Sequence, residues 1–191
     1  MGVSDIITAH QRKQPNHEAM KTSIVLTIIA EDHPGVVNTV SAVLYQHGGG
    51  WTESSMSSLA GQFAGILLAS VPSKEVDTCV KELQQLKSQG LHVITQVSGD
   101  SSIPEETYEY TLDLVGNDRK GIVHDISTVL ANHDVNMLNL DTTVESASMG
   151  GGNLFKARAE LVVPASTDLD LLETELEDIA NELMVDILFK K

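Results

Sequence analysis

With 191 residues, 41% hydrophobic and 20% charged, the chain is long enough for one ordinary domain or two small ones and has the apolar content of a packed core, which excludes wholesale disorder. Twelve Lys and Arg against 27 Asp and Glu leave a net charge of −15, the wrong sign for neutralising phosphates, so no direct nucleic-acid partner is expected. The longest apolar run, 65–69, is far short of the ~20 residues that cross a bilayer, and the single Cys79 allows neither a disulfide framework nor a thiolate metal site.

In chain order, residues 1–21 read as an N-terminal extension without the basic region and apolar core of a secretory signal, so the expected location is the cytoplasm. Ser23 to Ala30 is short and rich in β-branched residues, which predicts a buried strand. Val36, Val37, Val40, Val43 and Leu44 form one stripe on a 3.6-residue period and predict a helix stopped by Gly48-Gly49-Gly50. Trp51 to Leu59 and Phe63 to Val71 flank Ala60-Gly61-Gln62 and predict a hairpin. Ser73 is the candidate N-cap of a second helix whose stripe is Val76, Val80, Leu83 and Leu86, with Gly90 as its C-cap. Alternation at Leu91, Val93, Thr95 and Val97 predicts a final half-buried strand.

The same pattern then returns. At an offset of 86, Asp32 matches Asp118, Gly35 matches Gly121, Val36-Val37 matches Ile122-Val123 and His47 matches His133; Val71-Pro72 matches Val163-Pro164 at an offset of 92. Two tandem copies follow, 22–98 and 107–191, joined by a linker at 99–106, with six extra residues in copy two placed at a hairpin tip over 147–152. Copy two repeats the order over 108–115, 121–133, 135–145, 153–163, 168–184 and 185–190. Its last helix carries Leu169, Leu172, Leu176, Ile179 and Leu183, read as a face laid on its own sheet in preference to a coiled-coil seam. A βαββαβ unit, twice, predicts an α+β fold of two tandem ferredoxin-like sandwiches. The charge is uneven: residues 21–98 hold 4 basic and 6 acidic residues, and residues 107–191 hold 6 and 16.

The turn from each first strand into its first helix gathers backbone N–H groups and the positive end of a helix dipole. Copy one has Asp32-His33-Pro34-Gly35-Val36-Val37 there, and copy two Asn117-Asp118-Arg119-Lys120-Gly121-Ile122-Val123. An Asp, two residues, then Gly and two branched aliphatics at this place resembles the ligand loop of the ACT domain, and the pair of domains resembles the glycine cleavage system transcriptional repressor family. The resemblance implies a non-enzymatic amino-acid-sensing repressor that acts through a regulatory protein partner, with glycine or serine as ligand. It also implies a site of Asp32, His33, Gly35 and Val36 in copy one and Asn117, Asp118, Gly121 and Ile122 in copy two, the carboxylate or amide holding the ligand's ammonium and the N–H groups near Gly its carboxylate. Copy two departs from the family at Lys120, where copy one has Pro34. The competing reading gives both Gly residues to the turn and both Asp residues to helix capping.

Seven His residues without metal-ligand spacing predict no metal and no cofactor. A ligand-free interaction module and an acylphosphatase-like enzyme, the latter resting on Arg119 and Lys120, are the alternatives. Exposed sheet edges predict that copies pair, within a chain or as a homodimer, with Trp51 and the Val135 to Glu145 strand as candidate contacts.

Overall fold

The computed structural model describes residues 20–97, 106–146 and 152–191. Residues 1–19 of the expected N-terminal extension, most of the linker and most of the hairpin tip lie outside these, whereas Lys21, expected in the extension, pairs with Pro72 as the first residue of a strand. The chain divides into two compact units, Met1–Ser101 and Ser102–Lys191.

In unit 1, strand β1 (Lys21–Glu31) leads to helix α1 (Val36–Gln46), the β2 (Gly50–Leu59) and β3 (Gln62–Pro72) hairpin, helix α2 (Val76–Gln85) and strand β4 (His92–Val97). The sheet is antiparallel in the order β2-β3-β1-β4. Alternation along β1 puts Ile24, Leu26 and Ile28 on the face that meets the helices, where Val40 and Leu44 of α1 and Leu83 of α2 are equally buried.

Unit 2 repeats this order with β5 (Thr107–Asn117), α3 (Ile122–Asn132), β6 (Asn136–Ser146), β7 (Asn153–Pro164), α4 (Leu169–Leu183) and β8 (Val185–Lys190), in the sheet order β6-β7-β5-β8. Its core contains Leu112, Leu114, Ile126, Leu130, Leu161, Leu172, Leu176 and Leu183. The leucine stripe of α4 is thus consumed by its own sheet. Each unit is an α+β ferredoxin-like sandwich.

Local chemistry explains where the elements depart from the sequence pattern. The hairpin turn is two residues, not three, because Ala60 (φ 51°) and Gly61 (φ 78°) both take the left-handed region and let Gln62 pair with Leu59. Ser73 does not cap α2: its hydroxyl is spent on the Met20 carbonyl (2.8 Å) and the Thr22 hydroxyl (2.8 Å), and a 3₁₀ turn over Ser73–Glu75 precedes the helix. A second 3₁₀ turn, Leu86–Gln89, closes it before Gly90 at φ 84°. In α4 the expected start holds, with the Leu171 amide donating to Asp168 Oδ1 at 3.1 Å. Val97, paired with the fully buried Ile24 yet 61% exposed, shows that β4 loses its buried face at its end.

Cys79 is fully buried on α2, and burial pushes its thiol up to about 11. It remains a protonated packing group at neutral pH. Ellman's reagent should therefore leave the native chain essentially unlabelled over minutes and titrate one thiol per chain in guanidinium; rapid labelling of native protein would contradict this.

Candidate functional site

Each site loop grows out of the end of a first strand. Asp32 follows the last residue of β1, and its amide donates to the Gly61 carbonyl at 2.9 Å, tying the loop to the β2–β3 turn. Its Oδ2 accepts from the Ser58 hydroxyl at 2.5 Å. His33 stays exposed, with Nδ1 3.1 Å from the Pro34 carbonyl oxygen. Gly35 takes φ 108° as the residue before α1, a conformation closed to side chains, and a Cβ there would meet nothing within 4 Å, so backbone conformation rather than crowding requires glycine. The Gly35 carbonyl is closed off by the Thr39 amide (2.8 Å) and hydroxyl (3.0 Å).

No side chain caps α1. The carboxylate of Asp32 is turned to β2, and the helix starts with its first amides open and its dipole uncompensated by any acidic residue in the first turn. The capping alternative is therefore not what the geometry holds. Val36 is 2% exposed, so its side chain belongs to the core and only its amide faces the loop.

The second loop is built alike but finished differently. The Asp118 amide donates to the Asn153 carbonyl at 2.8 Å, Gly121 takes φ 100°, no side chain caps α3, and Ile122 is buried. Asn117 ends β5, paired with Leu154. The position matching Ser58 is Val144, so Asp118 lacks that hydroxyl partner. Asp125 stands in the first turn of α3 with a carboxylate oxygen 3.2 Å from where a Gly121 Cβ would lie. That carboxylate supplies negative charge to the dipole itself and opposes a second anion there.

Arg119 is engaged elsewhere. Its Nη1 donates to the carbonyls of Glu182 (3.2 Å) and Leu183 (3.3 Å), the exposed end of α4. A guanidinium spent on a helix C-terminus is not presented to a phosphate, which removes the main support for acyl phosphate chemistry.

The sequence brought Asp32, His33, Gly35 and Val36 to one loop and Asn117, Asp118, Gly121 and Ile122 to the other, as the strand-to-helix placement required. It missed Ser58 and Asp125. Ser58 is one serine among several on β2, without a spacing signal; Asp125, the fourth residue of α3, was detectable as an acidic first-turn residue.

Outside the loops, the two matched histidines join the helices. His47, following α1, lies 2.8 Å by Nε2 from Glu82 and 3.4 Å by Nδ1 from Glu75, and His133, following α3, lies 3.1 Å from Glu175. The hydrogen bond to Glu82, ahead of the burial that opposes it, raises the His47 pKa above 6.5. A raised pKa means the folded state holds its proton more tightly, so this stabilisation is complete below about pH 6.5 and is lost as pH rises through the raised value. His47→Gln should lower the melting temperature of unit 1 by a few degrees at pH 6, for a pair contributing about 0.5–1 kcal/mol with half-exposed partners, and by much less at pH 9. A difference independent of pH in thermal scans would refute it.

Among the described residues no helix is long and apolar enough to cross a membrane. Two family profiles, both described as ACT domain, match residues 22–98 and 104–181. A solved structure of an unknown protein from Galdieria sulphuraria is similar, with a TM-score of 0.81 and 27% identity over 90% of this chain and 98% of that one. A second, provisionally described as a glycine cleavage system transcriptional repressor, has a TM-score of 0.63 and 17% identity over 90% of this chain and 97% of that one. No protein of curated function matches the sequence.

Proposed function

The chain belongs to the ACT-domain family, carrying two copies in tandem, and from that premise we propose that it is a non-enzymatic regulator that senses a small amino acid. The ligand is glycine or serine, the readout is repression of glycine cleavage genes through a protein partner, and the working form is a cytoplasmic homodimer. One observation carries this reading: in unit 1 an uncapped helix N-terminus stands beside an Asp carboxylate held by Ser58 on a loop tied to the neighbouring hairpin. A zwitterion needs an acceptor for its ammonium and open amides for its carboxylate within a few ångströms, and this loop offers both. The glycine cleavage assignment is further supported by the structural neighbour described as a repressor of that system, whose fold this chain shares.

The two loops are unequal in this reading. Pro34 narrows the states of the empty first loop, Ser58 orients its carboxylate, and the second loop has Lys120, Val144 and the opposing Asp125 instead. The first site is the stronger. Thermal unfolding with and without a panel of amino acids tests the proposal, because a ligand that binds only the folded state raises its stability by RT ln(1 + [L]/Kd). A shift of unit 1 with glycine or serine supports it, and no shift with any amino acid leaves a ligand-free interaction module.

A further inference from the structure

The open faces of the two sheets, opposite the helices, have diverged in chemistry at matching positions. Across unit 1 the middle row reads Ser55, Ile66, Thr27, Ile94. The matching row of unit 2 reads Asp141, Arg158, Asp113, Leu188. Ile66, Ile94 and Ile29 are 57%, 61% and 48% exposed, and Val25, Ala64 and Leu68 fill in between them, which makes a contiguous apolar face on a sheet whose other side is already packed. In unit 2 the same face is a charged groove of about 560 Å³, in which Asp113 pairs with Lys190 (2.9 Å) and Arg158 (3.7 Å).

We propose that the open sheet face of unit 1 is the surface through which two copies of this chain associate, sheet against sheet about a two-fold axis. Charge selects the occupant. Covering Ile66 and Ile94 with the charged face of unit 2 would take Arg158, Asp141 and Asp186 out of water against groups that cannot pair with them. The same face of a second copy is apolar, nearly free of charge at its centre and, under a two-fold, self-complementary. Its charged residues, Glu31, Glu53 and Lys21, lie toward the ends and edge of the sheet, where a rim stays wet. Strands of 10, 11, 11 and 6 residues at ~3.4 Å per residue, ~4.8 Å apart, give roughly 600 Å² of flat area per copy. That is the lower end of specific interfaces, so the association is weak, with a dissociation constant in the micromolar range.

Sedimentation of the full chain without any amino acid tests this apart from the ligand reading. Between about 1 and 200 µM the weight-average mass should climb from the 20.6 kDa chain toward twice that value. Ile66→Asp should raise the dissociation constant at least tenfold, moving the climb in mass to correspondingly higher concentrations, with its melting temperature little changed because the side chain is exposed. Ile94→Lys, on the short edge strand β4, should act in the same way, and Leu188→Asp at the matching place in unit 2 should associate as the wild type does. A wild type that stays at one chain at every concentration would overturn the proposal and leave the face to another partner. Association of Ile66→Asp and Ile94→Lys equal to wild type would overturn it in favour of contact elsewhere, for instance through the β2 edge and Trp51.

Discussion

Asp32→Ala is expected to weaken binding of glycine or serine by roughly tenfold to a hundredfold in calorimetric titration, and Asp118→Ala to weaken it less. The first figure follows from a charge-assisted contact of about 1.5–3 kcal/mol between carboxylate and ammonium. The ordering follows from Ser58, which donates to Asp32 at 2.5 Å and has Val144 as its counterpart, and from Asp125, whose charge beside Gly121 disfavours a ligand carboxylate in the second loop. Neither Asp caps its helix, so neither substitution should cost the ~1 kcal/mol of a lost N-cap. Unchanged affinity in both variants, with lowered melting temperatures, would reduce the two Asp residues to loop scaffolding and withdraw the ligand assignment.

Gly116→Ala should destabilise unit 2 by about 2 kcal/mol, with a melting temperature lower by roughly 10 °C. Gly116 pairs with Val185 across β5 and β8, and a Cβ at this position would lie 2.9 Å from Val185 Cα and also against its side chain. Val185 Cγ1 is closer still, and although a rotamer change could free it, Cα and Cβ could not follow, so β8 would have to move. Gly65→Ala is the contrast: its nearest obstacle is Met56 Cγ at 2.6 Å, the flexible part of a half-buried edge-strand side chain, so the cost should stay below about 1 kcal/mol. Thermal scans of both variants check the pair. Equal losses would show that crowding at β8 is no stiffer than a methionine.

These results locate what the sequence could and could not disclose. Apolar periodicity predicted α1 and α4 because each buries one stripe against one sheet: Val40 and Leu44, Leu172 and Leu176. Repetition at an offset of 86 supplied the tandem organisation, since two copies of one pattern constrain each other. Ser73 was misjudged because a serine beside a helix offers its hydroxyl to whichever acceptor folding brings near, and here that is Met20, 53 residues away. The site loops were legible through Gly35 and Gly121, whose positive φ is a local demand. Ser58 and the engagement of Arg119 with α4 were not, since both are contacts between residues distant in sequence. The contrast between the sheet faces lay in strand residues whose facing is fixed only by register, and Ile66 beside Thr27 has no sequence signature of its own.

Met184 joins α4 to β8 without an intervening loop, taking φ 55° on a side chain that is 73% exposed. In unit 1 the corresponding passage has a 3₁₀ turn, Gly90 and Leu91 between helix and strand. Slack in a connection lets a terminal strand peel away while its helix stays folded; a single-residue joint denies it that freedom. Strand β8 is thereby mechanically continuous with α4, and through its ladder to β5 with the strand that ends at Asn117. Opening of the last helix and of the last strand is then one event in unit 2, whereas β4 can open ahead of α2, so the two halves of one duplicated design differ in the size of their smallest cooperative unfolding unit.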